Sequence, residues 1–414
     1  MPELSTSPQI GRPAPEGSGT ARATAPAERL ESVDLLRGLV MVLMALDHTR
    51  DFFHRGAFAG WDPLDLSRTT VALFFTRWIT HFCAPVFIFL AGTGAYLSLG
   101  RGKDPASLSG FLFTRGLWLI VLELTWVRWF GWAFAINLHE HWFIVIWAIG
   151  WSMIVLAGLV HLPRGAVFGF GLVLILGHNA CDGVAPESWG SAGWLWRVLH
   201  AGGQFEFAAL PGVKFGAGYP LIPWVGVMAV GFSFGQVLKW EREQRRRWIF
   251  RLGLGLTIGF LLLRGSNLYG NPKAWSVPAN PWLTPLAILD CHKYPPSLCY
   301  LLMTLGPALM LLAWLDRPLP ALLRPFLVFG RVPLFYYLLH LPLIHGLAVL
   351  AHWLVLGRAD WLYGSPAARP PPEAGFGLAA TYAAWLLVIL LLYPVCAKFA
   401  ELKRRRRDAW LSYL

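Results

Sequence analysis

Apolar residues gather along this chain in segments long enough to cross a membrane as helices, and short polar stretches separate them. A membrane-spanning helix needs about 20 mainly apolar residues. Segments of this kind occur at roughly 33–53, 71–99, 108–128, 138–160, 165–179, 219–239, 247–264, 297–315, 325–350 and 376–399. The pattern predicts an all-α fold, a polytopic integral membrane helical bundle with about 10 transmembrane helices.

The composition supports the same class. Hydrophobic residues make up 56% of the chain, charged residues only 14%, and the mean hydropathy is +0.51. These values are typical of multi-span membrane proteins and exclude an ordinary soluble enzyme. Residues 1–27 are rich in Pro, Ala, Ser, Thr and Gly and lack the apolar run of a signal peptide, so we expect a disordered cytoplasmic tail there. The predicted transmembrane domain covers 28–402, and 403–414 forms a basic cytoplasmic tail.

Lysine and arginine are distributed unevenly between alternate loops. If the N-terminus is cytoplasmic, the inside loops hold most of them, including the basic stretch 239–251. The positive-inside rule then places both termini in the cytoplasm, with an even number of spans. This topology and contact with anionic membrane lipids account for the net charge of +12, so no nucleic-acid partner is expected.

The first span differs from the others because a membrane-length apolar helix carries several ionisable residues. These are Asp34, Arg37, Asp47, His48, Arg50 and Asp51. On an ideal helix, Arg37 and His48 point within roughly 20° of each other and lie about 16 Å apart along the axis. Asp34 and Asp51 fall on the same arc, so one polar face runs through much of the bilayer. Ionisable groups within a membrane are costly, and this face is therefore the first candidate for function.

Most of the 12 histidines fall in outer loops or in the outer halves of helices under this topology, and His48 and His340 lie deepest. Such a cluster favours proton chemistry on the outer side, although interfacial histidines can simply form hydrogen bonds. Arg77 and His81 stand one turn apart near the outer end of the second span. Lys293 precedes a rigid double-proline turn, where a helix cap and a substrate contact are equally open interpretations.

No metal site is expected from the sequence. The five cysteines form no CxxC pair and no zinc-ligand spacing. His139, Glu140 and His141 favour an interfacial turn over a metal site, because residues two apart on a helix face apart; an extended segment would change this interpretation. Cys181 and Cys291 lie in outer loops, where an oxidising compartment would permit a disulfide.

Four segments together resemble a known family. They are RLESVDLLRGLVMVLMALDH at 29–48, FCAPVFIFLAGTGAYLSL at 82–99, KYPPSLCYLLMTLG at 293–306 and FGRVPLFYYLLHLPLIH at 329–345. The first, with its Arg-Gly pair and later histidine, resembles the signature of transmembrane acyltransferases, including the acyltransferase-3 group. All four in this order resemble bacterial members of the heparan-alpha-glucosaminide N-acetyltransferase catalytic-domain group.

The resemblance implies a multi-pass acyltransferase of the bacterial inner membrane. Its donor would be cytoplasmic acetyl-CoA or another acyl-CoA, and its acceptor a hydroxyl or amine of an extracytoplasmic glycan or small molecule. By position, Arg37, with Asp34 beside it, matches the motif arginine on the donor side, and His48 matches a catalytic histidine.

The catalytic assignment leaves one choice open. Animal lysosomal members look to place Asn at the position of His48 and keep a catalytic histidine farther on, near His54. We therefore consider His48, His54 and Asp51 as catalytic candidates, with His48 favoured as general base and Asp51 as the group that holds its ring. Direct transfer and a covalent acyl-histidine remain alternatives.

The acceptor is expected to meet polar side chains at the outer end of the bundle. The candidate substrate-binding residues are Arg77, His81, Lys293 and His340. A secondary transporter is the main rival, because transporters also need intramembrane charges. The two halves of the chain show no second copy of the Asp-Arg-His helix, which argues against such a repeat.

The predicted topology can be tested with reporter fusions at Leu414 and at Gln244. Because most Lys and Arg are assigned to the inside, a reporter that is active only in the cytoplasm should be active at both positions. A periplasmic reporter fused at the same two sites is the control and should be silent. A periplasmic signal at either site would contradict the assigned orientation.

Overall fold

The computed structural model describes residues 30–99, 104–318, 320–364, 369–406 and 408–414. The predicted tail 1–27 lies outside these residues. Fifteen α-helices are formed by the described chain: α1 (Glu31–Phe53), α2 (Arg55–Phe58), α3 (Val71–Trp78), α4 (Cys83–Leu99), α5 (Pro105–Leu122), α6 (Val145–Leu159), α7 (Arg164–Gly177), α8 (Gly193–Trp196), α9 (Leu221–Phe234), α10 (Arg242–Ser266), α11 (Thr284–Leu289), α12 (Leu298–Leu315), α13 (Arg324–Arg331), α14 (Pro333–Leu356) and α15 (Leu378–Arg405).

Some membrane-length helices consist of consecutive helical elements of different type that follow one another without a break. A 3₁₀ turn, Ile79–Phe82, joins α3 to α4, and a π-helix, Glu123–Ala133, extends α5. Eight helices of the described chain are then long and apolar enough to cross a membrane, beginning with Val71–Leu99 and ending with Leu378–Arg405. The predicted class, an all-α polytopic membrane bundle, is confirmed. Two further predicted segments correspond to α1, which has the length but carries many charges, and to α6, which has 15 residues.

The charged helix α1 lies inside the bundle, where it contacts α4, α12, α13, α14 and α15. Its apolar residues are buried on several sides, including Leu35, Val40 and Met41. A helix surrounded in this way can keep its charged face turned toward protein groups instead of lipid, and this is where intramembrane charges are tolerated.

Two glycines set the close crossing of α1 and α13. A Cβ atom built on Gly38 would lie 1.9 Å from the carbonyl oxygen of Phe326, and one on Gly330 would lie 1.7 Å from the carbonyl oxygen of Asp34. Neither position has room for a side chain. Small residues of this kind let membrane helices approach closely, and here they bring the backbone of α13 against the first turns of α1.

Some local expectations differ from the structure. The segment predicted as a helix from 138 begins instead as a strand, β1 (Glu140–Phe143), which pairs in parallel with β3 (Lys214–Ala217); β2 (Gly203–Glu206) pairs antiparallel with the other edge of β3. A cross-strand ring contact stabilises this pairing, since the ring of His141 in β1 stacks on that of Phe215 in β3 at 5.3 Å.

Two other predictions are revised. The predicted span 325–350 is divided at Val332, because Pro333 cannot donate a backbone hydrogen bond and starts the new helix α14. The disulfide between Cys181 and Cys291, which the sequence left open, is not formed, and both thiols are free. The predicted basic tail 403–414 begins within a helix, because α15 continues to Arg405.

The Gly38 crossing yields a stability prediction. Gly38→Ala should lower the unfolding temperature in detergent, because overpacking of a tight contact costs about 1–3 kcal/mol. Gly158→Ala is the matched control: it lies in α6 with nothing within 4 Å of an added Cβ. That change should be neutral or mildly stabilising, since alanine favours a helix by about 1 kcal/mol over glycine. Equal unfolding temperatures for the two variants would contradict the crossing.

Candidate functional site

Asp47 is the centre of an ion cluster within the bundle. Arg77 Nη1 donates to both of its carboxylate oxygens, at 2.7 and 2.6 Å, and Arg50 Nη2 donates to Oδ1 at 3.2 Å. Arg77 comes from α3 and Arg50 from the next turn of α1, so the carboxylate joins two helices. A buried carboxylate needs such partners, because the loss of its hydration is otherwise very costly.

Arg50 extends the cluster to a second carboxylate. Its Nη2 also donates to Asp51 Oδ1 at 2.6 Å, so the same guanidinium bridges Asp47 and Asp51. At about 100° per residue, Asp47 projects from a different face of α1 than its neighbour His48. The length and reach of the arginine side chain connect the two faces.

His48 stands beside this cluster and against aromatic rings. Its ring centroid lies 5.1 Å from that of Trp132, edge to face, and 5.2 Å from that of His340. Its Nδ1 is 3.9 Å from Asp51 Oδ2, which is within ion-pair range but beyond a hydrogen bond. Nδ1 is buried and has no hydrogen-bond partner among the described residues. Asp51 is therefore near the His48 ring while its short contact is with Arg50.

His340 complements His48 from α14. Its Nδ1 lies 2.7 Å from the carbonyl oxygen of Tyr337, and because a carbonyl can only accept, Nδ1 carries the proton. In the neutral ring this leaves Nε2 with a free lone pair. That atom is buried and has no hydrogen-bond partner in the described part of the chain. The two histidines, from distant parts of the sequence, thus form one ring pair.

His54 has a different environment. It follows the last residue of α1, its Nδ1 accepts a hydrogen bond from Gly56 N at 3.1 Å, and its backbone bridges to Phe376. Burial, together with the positive charges of Arg50 and Arg55, lowers the pKa of His54 below its ordinary value. At about 1.5 Å per residue, it lies about 9 Å beyond His48 along the helix. In this structure His54 caps the short helix α2.

Lys293 and His81 lie near the same cluster. The Nζ of Lys293 is 5.1 Å from the Tyr294 ring centroid, and the ammonium is close enough to act electrostatically on Asp47 and His48. His81 is buried, with its ring 5.4 Å from that of Tyr300. The sequence-predicted residues Arg77, His81, Lys293 and His340 therefore gather around the C-terminal half of α1.

Arg37 and Asp34 mark the other end of the polar face. Arg37 Nη1 lies 3.2 Å from Asp34 Oδ1 and 3.2 Å from the carbonyl oxygen of Gly330. The close crossing at Gly38 brings this carbonyl within reach. The arginine is consequently fixed at the point where α1 and α13 meet.

A cavity of about 350 Å³ begins beside Arg37. Basic side chains line one end of it, and these are Arg37, Arg115, Arg331 and Lys403. Apolar side chains line most of the remainder, including Met41, Leu90, Leu119, Ile149 and Met153. The cavity thus changes from cationic to apolar along its length.

The apolar part of the cavity reaches residues that adjoin the histidine pair. Tyr337 lines it and supplies the carbonyl that holds His340, while Met44 lines it one turn before His48. Ile146 lines it as well, and the backbone N–H of Ile146 donates to Glu123 Oε2 at 3.1 Å. Along α1 the cavity therefore extends from Arg37 to Met44, and it ends beside the residues that adjoin His48 and His340 without being lined by either histidine.

The C-terminal segment packs beside the basic end of this cavity. Arg115 donates to the carbonyl oxygen of Ser412, and the hydroxyls of Thr114 and Tyr413 lie 2.7 Å apart. Ser412 and Leu414 also line the cavity. The mouth is therefore built by residues from both ends of the chain.

Sequence reasoning missed several of these roles. Nothing in the sequence marks Trp132 as a neighbour of His48. Arg115 and Lys403 count in the sequence only as basic residues of the inside loops, whereas in the structure they line the cavity.

Two ionisable residues of the third predicted span, Glu123 and Arg128, do not pair with each other. Glu123 accepts from the backbone N–H groups of Ile146 and Trp147 at the start of α6, while Arg128 pairs with Glu140 at 3.0 Å. The first N–H groups of α6 have no partner within their own helix and need an acceptor inside the bundle. The buried carboxylate of Glu123 supplies it.

The predicted turn around Glu140 is an extended strand. His141 Nε2 lies 3.0 Å from the carbonyl oxygen of Leu138, and Glu140 is paired with Arg128. Within the described residues, His139, Glu140 and His141 do not converge on a common point that could hold a metal ion.

Comparison with known proteins identifies the family. No curated protein matches the chain. The family model described as heparan-alpha-glucosaminide N-acetyltransferase, catalytic, matches residues 29–266, which include α1, the ion cluster around Asp47 and much of the cavity lining. Because this match covers more than half of the 414 residues, the chain belongs to the heparan-alpha-glucosaminide N-acetyltransferase catalytic family of membrane acetyltransferases.

Proposed function

We propose that this protein transfers an acyl group, with acetyl the first choice, from cytoplasmic acyl-CoA to an acceptor on the outer side of the membrane. The acceptor supplies a hydroxyl or an amine, as on a glycan or a similar molecule. One observation carries the proposal: a cavity leads from the cationic group around Arg37 to the side chains that adjoin His48 and His340. Such a path suits a reagent that enters at one side of the membrane and reacts near the other.

The cavity lining fits the two parts of an acyl-CoA. The nucleotide end carries phosphates, which guanidinium groups such as Arg37 and Arg115 bind through charged hydrogen bonds. The pantetheine arm is thin and mainly apolar, and the walls beyond Arg37 are apolar over most of their length. In this arrangement the thioester lies toward Tyr337 and Met44, next to the histidine pair.

The chemical step requires a base beside the thioester. As the acceptor oxygen or nitrogen attacks the carbonyl carbon, a neutral His48 takes its proton, and the carbon–sulfur bond breaks to release CoA as the thiolate. His340 holds its proton on Nδ1 through Tyr337, which leaves Nε2 able to accept a hydrogen bond from the acceptor. In the alternative route, the His48 nitrogen attacks the thioester and CoA leaves as the thiolate; the acceptor then attacks the acyl-histidine carbonyl, the carbon–nitrogen bond breaks, and the released imidazole takes the acceptor's proton.

The outer cluster favours a polar or anionic acceptor. Arg50, Arg77 and Lys293 supply three cations, whereas Asp47 and Asp51 supply two carboxylates. The surplus positive charge in a partly buried site attracts negatively charged groups. Asp47 and Arg77 hold each other, so Lys293 and His81 are the side chains best placed to contact the acceptor.

The donor end can be tested with Arg37→Lys. Lysine keeps the charge but loses the planar group that contacts both Asp34 and the Gly330 carbonyl, so we expect the KM for acetyl-CoA to rise about tenfold, or about 1.4 kcal/mol. Arg164→Lys, at an exposed position at the start of α7 and outside the cavity lining, is the matched control. Donor binding should be measured alongside protein yield. Unchanged KM with reduced yield would make Arg37 a structural clamp.

The base can be identified by comparing His48→Ala with His54→Ala. Loss of the general base should lower kcat by about 100-fold or more, while the variant still inserts and folds. His54→Ala should have a smaller effect, because this ring caps α2. The wild-type rate should also fall as the pH drops through the titration range of histidine, since an imidazolium cannot accept a proton. A large loss confined to His54→Ala would move the base to that residue.

Radiolabelled acetyl-CoA supplied to inverted membrane vesicles tests the overall reaction. The inverted orientation exposes the cytoplasmic face, so label should appear on an acceptor inside the vesicle. Vesicles that carry His48→Ala are the control and should show no transfer. Solute flux without transfer of label would favour a transporter instead.

A further inference from the structure

A second polar cluster lies apart from α1, beyond the end of α7. His178 opens the 3₁₀ turn His178–Cys181, Asp182 follows this turn, and His200 lies on the π-turn Arg197–Ala201. One ligand atom from each of the three residues can be chosen so that all lie within 4.8 Å of one another. Two imidazoles and one carboxylate therefore converge on a common point.

The histidine nitrogens in this cluster lack protein partners. Both ring nitrogens of His178 and the Nδ1 of His200 are buried without a hydrogen-bond partner among the described residues. The two residues are only 4% and 2% exposed. Buried polar atoms are normally satisfied, so the ring of His178, which lacks a partner on both nitrogens, calls for a further group at this point.

We propose that His178, Asp182 and His200 bind one Zn²⁺ ion. Neutral imidazole and carboxylate are ordinary zinc ligands, and three protein ligands with one water complete a tetrahedral set. His200 Nε2 and Asp182 Oδ1 lie 3.2 Å apart. Two ligands on a tetrahedral zinc with bonds of about 2.0–2.1 Å are separated by about 3.3 Å, so this pair already has a suitable spacing.

A hydrogen bond between His200 and Asp182 accounts for the same distance, but it leaves His178 unexplained. His178 has no carboxylate or carbonyl on either nitrogen, yet it is buried with its ring 5.6 Å from that of His200. A shared cation would satisfy one nitrogen of each ring and the carboxylate together. Asp182, with its side chain 21% exposed, leaves a route for the ion and for a water ligand.

Neighbouring groups orient the carboxylate, as is usual around bound zinc. Asn179 Nδ2 donates to Asp182 Oδ2 at 2.9 Å, and Asn179 Oδ1 accepts from Leu298 N at 2.9 Å. Leu298 is the first residue of α12. The site would therefore fasten the segment between α7 and β2 to the start of α12, five residues from Lys293.

The test uses the full-length protein purified in detergent and stripped of metal with a chelator. Titration of Zn²⁺ against a chromophoric chelator should give one ion per chain, and Zn²⁺ should raise the unfolding temperature. His178→Ala and His200→Ala should weaken Zn²⁺ binding at least 100-fold. His139→Ala, an exposed histidine outside the cluster, is the matched control and should bind as the wild type does.

Asp182→Asn is a second variant that keeps the test decisive if the histidine variants fail to fold. It keeps the size of the side chain and one oxygen that can accept from His200, but it loses the charge and the second oxygen, which accepts from Asn179. Zn²⁺ binding should therefore weaken about tenfold or more, while the unfolding temperature of the unliganded protein falls only slightly, because one hydrogen bond contributes about 1 kcal/mol. Co²⁺ should give the visible absorption of a tetrahedral site in the wild type and not in His178→Ala. Equal Zn²⁺ binding by the wild type and His178→Ala, or no binding by either, overturns the proposal.

Discussion

The carboxylate of Asp47 and its two guanidinium partners are the interaction on which the rest of the site depends. Within a bundle that excludes water, an unpaired carboxylate on α1 would cost several kcal/mol. Arg77 and Arg50 remove most of that cost by direct contacts of 2.6 to 3.2 Å. These contacts fix α3 against α1 and orient the turn that carries His48. His48, the proposed base, is thus positioned by an ion pair made one residue earlier.

The same constraint explains why α1 lies in the interior. Its polar face needs protein partners along its whole length, and five other helices supply them. At the Arg37 end the partner is a backbone carbonyl, which Gly38 and Gly330 allow to approach. At the His48 end the partners are side chains from α3 and α14. The helix is held at both ends, and the apolar cavity lies between them.

The surroundings of His48 and His340 differ from those of the charged groups nearby. Trp132, Tyr336 and Tyr337 lie around the rings, and the hydrogen bond from His340 to Tyr337 leaves Nε2 as an acceptor. In the proposed reaction, the neutral form of the imidazole is the one that can act as a base. The ion cluster beside it supplies positive charge without contacting the ring nitrogens. Neutral and charged groups are therefore separated within one small region.

The sequence by itself determined the class of fold, the positions of most membrane helices and the polar face of α1. These features depend on local properties, namely the length of apolar runs and the helical period, which place Arg37 and His48 on one face whatever surrounds them. The Arg-Gly motif and the later histidine also indicated the family, and the match over residues 29–266 confirms that family.

Only the tertiary structure decided which faces meet. The helical period cannot show that Arg77 reaches Asp47, that His340 joins His48, or that Glu123 caps α6. Likewise, His178 and His200 are separated by a loop whose path depends on packing against α12, so their spacing gave no metal signature. Such contacts join residues far apart in the chain, and their choice depends on the packing and the burial of charge in the whole bundle, which no local pattern contains.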